Sequence, residues 1–541
     1  MARASSLFSF AARSHVLGAL SCGIGGGVAM WVIAIGYVRE METFEGGAAA
    51  FGAYTAAAAE AMRVMRWPAD RLDTLGGYLT YHNVTLLPLL LGLYAAIQGA
   101  QALRGVEEKR ILDVWLATGR SRWSIVRDRS AAFIVALAIL TLGVGLGLIG
   151  ATAMGGEMQV GPALVVATEA SLAAAVFYAL AMLLSSVFAT SGAAAGVTVL
   201  IMIGLYLMTN IWDRLGPLGA LRFVSPFFYR QRSELLIPGR EVDLPATAAL
   251  LLMFVALVML AAYAFVRRDY AGALWQRKER GVDRARATRL AWRPTVWLAS
   301  LAEQRVGLVA WAAGAGVFMG AYATLIPQVQ EIWDRLGFLK VMLITGEGDV
   351  VSQLVAFSVE ALGPFVGAFA VVQSARWARE RSEGIDELLL AQPITRSRYV
   401  LERLIALAIA TVVVVAGAAA GLAIGGLAVG VSLDAAALAR TTAELVLLAL
   451  AVGGVGAIAV AVLGGTTAVA ALTAWIVVAY LIVLFAPLFD WPAWLLRLSP
   501  FDAFGHPYLG TPDTYGLAYL AALAIAGAAL SVAVLERRRA V

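Results

Sequence analysis

Charged residues interrupt a very apolar chain at Glu107-Glu108-Lys109-Arg110-Ile111-Leu112-Asp113-Val114-Trp115-Leu116-Ala117-Thr118-Gly119-Arg120-Ser121-Arg122-Trp123. This stretch has a second copy, because a shift of 274 residues places Ile111 on Ile385 and Arg122 on Arg396. Further landmarks keep that shift within one residue: Gly92 with Gly367, Gln98 with Gln373, Arg104 with Arg379, Glu169 with Glu444, Tyr206 with Tyr480, and Ser225-Pro226-Phe227 with Ser499-Pro500-Phe501. The chain therefore contains an internal repeat, two copies of one unit.

The composition of the chain indicates that its surface lies in a lipid bilayer. Of the 541 residues, 61% are hydrophobic and only 14% are charged, and the mean hydropathy is +0.81. A soluble core cannot hide that much apolar surface, so we expect an all-α polytopic membrane protein. The net charge of +5 falls in the loops between apolar segments, which membrane orientation explains without a nucleic-acid partner. The lone Cys22 excludes an intrachain disulfide and a cysteine-based metal cluster.

The hydropathy pattern predicts about twelve transmembrane helices, six in each copy. Each predicted segment is close to the ~20 apolar residues that cross a bilayer. They cover residues 16–38, 79–103, 130–151, 162–186, 193–211 and 245–266 of the first copy, and 306–326, 351–375, 404–430, 436–463, 467–487 and 515–535 of the second. We therefore divide the chain into a first repeat (1–266), a basic linker (267–302) and a second repeat (303–541).

Basic residues predict the orientation of these helices. They crowd the N-terminus, both charged insertions, the linker and the C-terminus, and one topology places all five in the cytoplasm. Both termini are then cytoplasmic, and an even number of spans makes the two repeats parallel, related by an axis along the membrane normal. This arrangement predicts a substrate path between the halves and two similar cytoplasmic surfaces that suit a symmetric partner.

Each charged insertion has the pattern of a short amphipathic helix. Ile111, Leu112, Trp115 and Leu116 share one helical face, while Glu108, Lys109 and Asp113 point elsewhere. The second copy sets Ile385, Leu388 and Leu389 against Glu383, Asp386 and Glu387. One such helix would also suit a surface of anionic lipid. Two acidic copies at matched positions favour docking on a protein.

At this point the chain resembles a known family. The six-span unit, the acidic helix between its second and third spans, and Leu389-Leu390-Ala391-Gln392-Pro393-Ile394-Thr395-Arg396 look like the membrane subunit of a type-2 ABC exporter. The fused double unit is similar to actinobacterial permeases assigned to the efflux of tetronasin and other polyketide antibiotics. The first copy departs from this motif because Gly119 stands where the second has Pro393, which leaves the equivalence of the two copies open.

The resemblance implies that each amphipathic stretch is a coupling helix, which inserts into a groove on a separate ATPase. It implies two ATPase copies, a hydrophobic or amphipathic drug or antibiotic as substrate, and a bacterial plasma membrane. The residues that would form the coupling surface are Glu108, Ile111, Asp113, Trp115, Leu116, Glu383, Asp386, Glu387, Leu390, Pro393 and Arg396.

The sequence independently points to an ATPase on another chain. Its only lysines are Lys109, Lys278 and Lys340, and none lies in a Gly-x-x-x-x-Gly-Lys-Ser/Thr phosphate-binding loop. We therefore expect a transport subunit that is not itself an enzyme and holds no cofactor or metal. ATP and Mg²⁺ would be bound by the partner.

Polar and aromatic groups within the spans are the candidates for substrate contact. Charged side chains at that depth are costly and usually face a protein interior or a wet cavity. For Glu444 a structural pair with Arg440, one turn away, is the leading alternative, whereas Glu169 has no basic neighbour at i±3 or i±4. The candidates are Glu169, Glu444, Glu360, Phe177, Tyr206, Trp475 and Tyr480.

Two other functions compete with the ATP-driven exporter. A proton-coupled secondary drug transporter would use Glu169 and Glu444 as proton carriers, but it leaves the two amphipathic insertions unexplained. A membrane glycosyltransferase would rest on Glu40 and Glu42 just outside the first span, and the second copy has no matching pair there.

Overall fold

A computed structural model describes residues 7–43, 52, 70–156, 158–214, 216–268, 296–327, 330, 350–486, 491–511 and 513–537. These residues are predominantly helical and contain no strand; an isolated bridge joins His506 and Thr511. They fall into two compact units, residues 1–282 and 283–541, each with its own core. The prediction of an all-α polytopic membrane protein is thus confirmed.

The first unit contains ten described α-helices. They are α1 (Leu7–Thr43), α2 (Leu75–Leu79), α3 (Leu87–Ala100), α4 (Val106–Glu108), α5 (Ile111–Ala117), α6 (Arg122–Ala153), α7 (Val160–Val187), α8 (Ser191–Asn210), α9 (Pro226–Arg230) and α10 (Leu244–Arg267). Two π-helical turns, Thr80–Val84 and Gln101–Gly105, lie within the segment formed by α2, α3 and α4. The 3₁₀ segments Trp212–Arg214 and Gly216–Val224 follow α8.

The second unit repeats this order in its described part. It contains α11 (Val296–Ala323), α12 (Val350–Glu360), α13 (Leu362–Ser382), α14 (Ile385–Leu390), α15 (Arg396–Ala428), α16 (Ala435–Val462), α17 (Gly465–Phe485), α18 (Ala493–Leu496) and α19 (Thr514–Arg537). A 3₁₀ turn, Pro507–Leu509, precedes α19.

Eleven described helical segments are long and apolar enough to cross a membrane. The shorter apolar stretch Thr467–Val483 lies within α17, where a twelfth span is predicted. Some helices extend beyond the predicted spans. Helix α1 starts at Leu7, before its predicted span, and α11 starts at Val296, which lies inside the predicted linker. Residues 269–295 of that linker, and most of the acidic stretch after α1, lie outside the described residues.

Glycines hold the first and third spans of each unit at very short distance. A Cβ placed on Gly147 of α6 would lie 2.1 Å from the Cα of Gly27 in α1. The second unit repeats this contact, since a Cβ on Gly421 of α15 would lie 1.9 Å from the carbonyl oxygen of Gly316 in α11. Small residues at such a crossing let two helix backbones approach within a membrane. Both crossings lie in the C-terminal part of the third span, at Gly147 of α6 and Gly421 of α15, so the same close contact recurs at matched positions of the two units.

Candidate functional site

The two insertion helices start from the same backbone turn. Arg110 precedes α5 with a φ of 55°, and Gly384, at the matched position before α14, has a φ of 74°. A left-handed residue ends one helix and redirects the chain into the next. Each insertion therefore leaves its second span at the same corner, although only the second copy uses the glycine that favours this conformation.

One face of α5 packs against its own unit. Leu112 is buried, and the half-buried side chains of Ile111, Trp115 and Leu116 contact the core of unit 1. The guanidinium of Arg129 lies 5.5 Å from the centre of the Trp115 ring, which is a cation–π distance. Ile111, Trp115 and Leu116, all predicted to couple to a partner, thus have much of their surface occupied by unit 1.

The opposite face of each insertion helix is exposed, and the two copies expose matched residues. Val114 is 62% exposed and Leu388, at the matched position, is 72% exposed. Beside them stand the exposed carboxylates of Asp113 and Glu387, which are matched in the same way. We call Asp113–Val114 and Glu387–Leu388 the exposed pairs. The sequence pattern singled out the two acids, but it did not distinguish Val114 from its apolar neighbours.

An arginine joins each insertion to the last span of its unit. Arg122 Nη1 donates to the carbonyl oxygen of Phe265, near the end of α10, at 2.9 Å. Its counterpart Arg396 donates through Nε to the carbonyl oxygen of Leu535, near the end of α19, also at 2.9 Å. The last carbonyls of a helix lack partners within that helix and carry partial negative charge, so a cation is favourable there. Arg396, predicted as a coupling residue, therefore contacts its own unit.

Glu108 forms a clamp that only the first unit possesses. Its carboxylate accepts hydrogen bonds from the backbone N–H of Ser191 (2.7 Å) and from the Ser191 hydroxyl (2.6 Å), at the N-terminus of α8. The matched position in unit 2 is Gly465, which has no hydroxyl, and Glu383 is exposed. Glu108 and Glu383, both predicted as coupling residues, therefore stand in different surroundings.

The other predicted coupling residues of unit 2 divide between buried and exposed positions. Asp386 is buried, and its Oδ1 accepts a hydrogen bond from the backbone N–H of Glu387 at 3.0 Å. Leu390 is half-buried and Pro393 is exposed. Pro393 is therefore accessible to a partner, as Glu387 and Leu388 are, whereas Asp386 faces its own unit.

Among the predicted substrate contacts, Glu169 lies in a buried polar cluster of unit 1. The Thr247 hydroxyl donates to Glu169 Oε1 at 2.6 Å, and Glu169 Oε2 has no hydrogen-bond partner. Arg230 of α9 is fully buried, and none of its three guanidinium nitrogens has a partner. Buried polar groups are ordinarily satisfied. Arg230 was missed because its burial depends on how the loop after α8 folds back.

Glu234 completes this cluster from the loop that precedes α10. It is buried, its Oε1 has no partner, and burial raises its pKa to about 7 against the opposing effect of the Arg230 guanidinium. Burial lowers the pKa of Arg230, while the carboxylates of Glu234 and Glu169 raise it. Glu169 thus has a cation as a neighbour, which its own helix did not reveal. The matched residues in unit 2 are Phe504 and Tyr508, so this cluster belongs to unit 1 alone.

The aromatic candidates pack on the repeated Ser-Pro-Phe turns. Phe227 lies 5.3 Å from Phe177 and 5.2 Å from Tyr206, measured between ring centres, and all three are buried. In unit 2 the ring of Tyr480 lies 5.8 Å from that of Phe501. Trp475 is half-buried. Phe177 and Tyr206 therefore serve the packing of unit 1, and Tyr480 presents some of its ring at the surface.

The two acidic candidates of unit 2 have different environments. Glu444 Oε2 is buried without a hydrogen-bond partner, and no ion pair joins Glu444 to Arg440 in the described part of the chain. Glu360 contacts His506 Nδ1 at 2.6 Å. This hydrogen bond raises the pKa of His506. Glu360 thus forms a hydrogen bond with a residue of the loop before α19, whereas Oε2 of Glu444 accepts no hydrogen bond from the described residues.

Comparison with known proteins bears on the second unit. Residues 289–535 match the family model described as "Multidrug efflux system permease Rv1217c, C-terminal domain". A search of curated protein sequences found no match. The matched range includes α14, α15 and the spans that follow, and the match favours neither the proton-coupled transporter nor the glycosyltransferase. The eleven described apolar helices make the chain a multi-pass membrane protein, and its second unit is similar to the C-terminal domain of a multidrug efflux permease.

Proposed function

We propose that this chain is the membrane subunit of a type-2 ABC exporter, which moves hydrophobic or amphipathic small molecules such as antibiotics with energy from a separate ATPase. The observation that carries this proposal is the exposed pair on each insertion helix. Two copies of an acidic residue followed by an exposed apolar one, at matched positions, suit two copies of one partner.

The physical argument starts from the apolar member of each pair. Val114 and Leu388 stand on short helices outside the spans, among charged residues that keep this end of each unit in water. An apolar side chain that enters a partner's pocket gains roughly 1.5–3 kcal/mol relative to staying exposed. The neighbouring carboxylate would give the contact its orientation and speed its formation.

Movement of the insertion helices would reach the spans through the arginine anchors. Arg122 joins the start of α6 to the end of α10, and Arg396 joins the start of α15 to the end of α19. A partner that displaces α5 or α14 would therefore pull on two spans of the same unit together. ATP-driven closure of the partner would in this way shift each unit between two arrangements.

The test is co-purification of the chain with the ATPase encoded next to it, in parallel with ATP hydrolysis in lipid vesicles. We expect one chain to bind two ATPase copies, and the double variant Val114→Asp, Leu388→Asp to weaken binding at least tenfold. Drug-stimulated hydrolysis should then fall to the basal rate. Leu218→Asp is the matched control, because Leu218 is also 62% exposed but lies between α8 and α9; it should leave binding intact.

Two results would count against the proposal. Unchanged ATPase binding by the double variant would remove the role of the exposed pairs. Transport by the lone chain in vesicles that carry only a proton gradient would favour the secondary transporter, with Glu169 and Glu444 as the proton carriers to examine.

A further inference from the structure

Unit 2 contains a cleft beside its insertion helix. It lies where the end of α13, the start of α15, the end of α16 and the end of α19 meet, and it holds about 420 Å³ of space when its open mouth is included. Two arginines line it, Arg381 and Arg403, together with Trp377, Tyr399, Asp386 and Ser531. The rest of the lining is aliphatic.

Arg403 is the residue that points to a ligand. Its side chain is 8% exposed, and its Nη2 donates to Glu380 at 2.7 Å, but its Nε has no hydrogen-bond partner among the residues that the structure describes. Tyr399 and Trp377 cover the guanidinium, with ring centres 4.4 and 5.9 Å from its carbon. A buried cationic N–H without an acceptor is costly. An acceptor that enters the cleft would remove that cost.

In unit 1 the matched arginine, Arg129, has a hydrogen-bond acceptor for its Nε–H. Arg129 Nε donates to the carbonyl oxygen of Ala102 at 3.1 Å, and the Trp115 ring covers its guanidinium. In unit 2 the residue matched to Trp115 is Leu389, which is smaller and offers no aromatic face. The first copy thus supplies a backbone acceptor for the arginine Nε and an aromatic ring from its insertion helix, and the described residues of the second copy supply neither at the matched arginine.

We propose that the cleft binds the phosphate group of an anionic phospholipid. A guanidinium pairs strongly with phosphate oxygens, and the two lining arginines outnumber the one lining carboxylate, Asp386. Glu380 does not offset this balance alone, because it is also paired with Arg376 at 3.0 Å. Basic pockets between spans near the membrane surface are suited to anionic head groups, with aromatic residues at the interface.

The surroundings of the cleft favour a lipid over a soluble anion. The exposed apolar residues Leu401, Val462 and Leu463 adjoin the lining residues in the chain, and they offer a surface for acyl chains. Asp386 belongs to α14, so a lipid in the cleft would contact the insertion helix itself. This binding site goes beyond the proposed function, and lipid binding by the chain can be tested in the absence of the ATPase.

The experiment is native mass spectrometry of the full chain, purified in detergent and incubated with dioleoyl-phosphatidylglycerol or dioleoyl-phosphatidylcholine. We expect preferential retention of the anionic lipid and at least a tenfold loss of that preference in Arg403→Gln. This variant leaves Glu380 paired with Arg376, so the fold has no newly unpaired carboxylate there. Arg398→Gln is the control, because it removes one charge from the same helix at a half-exposed position outside the cleft.

A second variant tests the cleft without changing its charge. Leu389→Trp gives unit 2 the residue that covers Arg129 in unit 1, and we expect the indole to occupy the cleft and displace the lipid. An equal loss in Arg398→Gln, or equal retention of the two lipids, would overturn the proposal. Full displacement of phosphatidylglycerol by excess inorganic phosphate would overturn the lipid assignment and identify a site for a soluble anion.

Discussion

At the scale of single residues, burial of charge distinguishes the two units. Unit 1 encloses Arg230 between Glu169 and Glu234, and unit 2 has Phe504 and Tyr508 at the matched positions. Glu169 could be predicted from sequence because a carboxylate in an apolar span is unusual. Arg230 and Glu234 could not, because a polar loop gives no sign of which side chains will be buried when it folds back onto α7 and α10.

The raised pKa of Glu234 predicts a dependence of stability on pH. Its ordinary value is 4.5 and burial raises it to about 7, so the folded state binds the proton more tightly than the unfolded state between these values. Stability therefore falls as pH rises from about 4.5 to about 7, by roughly 3 kcal/mol, and then stays level. Glu234→Gln removes this penalty, and we expect a higher thermal unfolding midpoint than the parent at pH 8 but little difference at pH 5.

Glu241→Gln is the control for this measurement, because Glu241 lies in the same loop and is exposed. It should leave the difference between pH 5 and pH 8 as it is in the parent. If Glu234→Gln instead destabilises the protein at pH 8, the attraction between the Glu234 carboxylate and the Arg230 guanidinium is larger than the cost of burying that carboxylate.

At the scale of elements, the sequence predicted which segments are helical but not what each face contacts. The amphipathic pattern of α5 is real, yet its apolar face meets unit 1, and the exposed apolar residue Val114 lies on the other side. Periodicity reports that a helix has two unlike faces; it does not report whether a partner or the parent unit covers the apolar one. Likewise, Arg122 and Arg396 stand out as charges, but their targets are carbonyls of a distant span.

The glycine crossings predict a sharp sensitivity to a single methyl group. In Gly421→Ala the new Cβ would meet the backbone of Gly316 at 1.9 Å, so α11 and α15 must separate. Overpacking of this kind costs typically 1–3 kcal/mol, and more when backbone atoms cannot move aside. We expect a clear drop in the thermal unfolding midpoint and in the yield of monodisperse protein.

Gly307→Ala provides the comparison on the same pair of helices. Nothing lies within 4 Å of a Cβ at Gly307, and alanine favours a helix by up to about 1 kcal/mol over glycine. This variant should be as stable as the parent or more so. If both variants behave alike, the close approach of α11 and α15 is not a determinant of stability.

At the scale of the whole molecule, the internal repeat carried most of the fold prediction. Hydropathy predicted six spans in each copy, the matched landmarks showed that the two copies share one order of elements, and the described helices follow that order. Where the two copies differ, as at Ser191 and Gly465, one copy cannot be used to predict the contacts of the other. Tertiary contacts made by only one copy therefore escaped the sequence analysis.

The predicted topology places both insertions on the cytoplasmic side, and the lone Cys22 makes this easy to measure. In a Cys22→Ser background, we expect Thr118→Cys and Gln392→Cys to resist a membrane-impermeant thiol reagent in intact cells and to react in inverted vesicles. Both positions are exposed. Glu241→Cys, in the loop between α9 and α10, should show the opposite behaviour. Labelling of Thr118→Cys from outside the cell would reverse the orientation.

The Glu108–Ser191 clamp has a mechanical consequence. Two short hydrogen bonds join Glu108, at the end of α4, to Ser191, at the start of α8, so that a displacement of one of these helix ends is passed to the other. In unit 2 the turn at Gly384 that leads into α14 has no matching brace, because Gly465 offers no hydroxyl for Glu383. If two identical ATPase subunits act on this chain, as proposed, unit 1 and unit 2 will therefore resist them unequally, and the two subunits will do unequal work in each transport cycle.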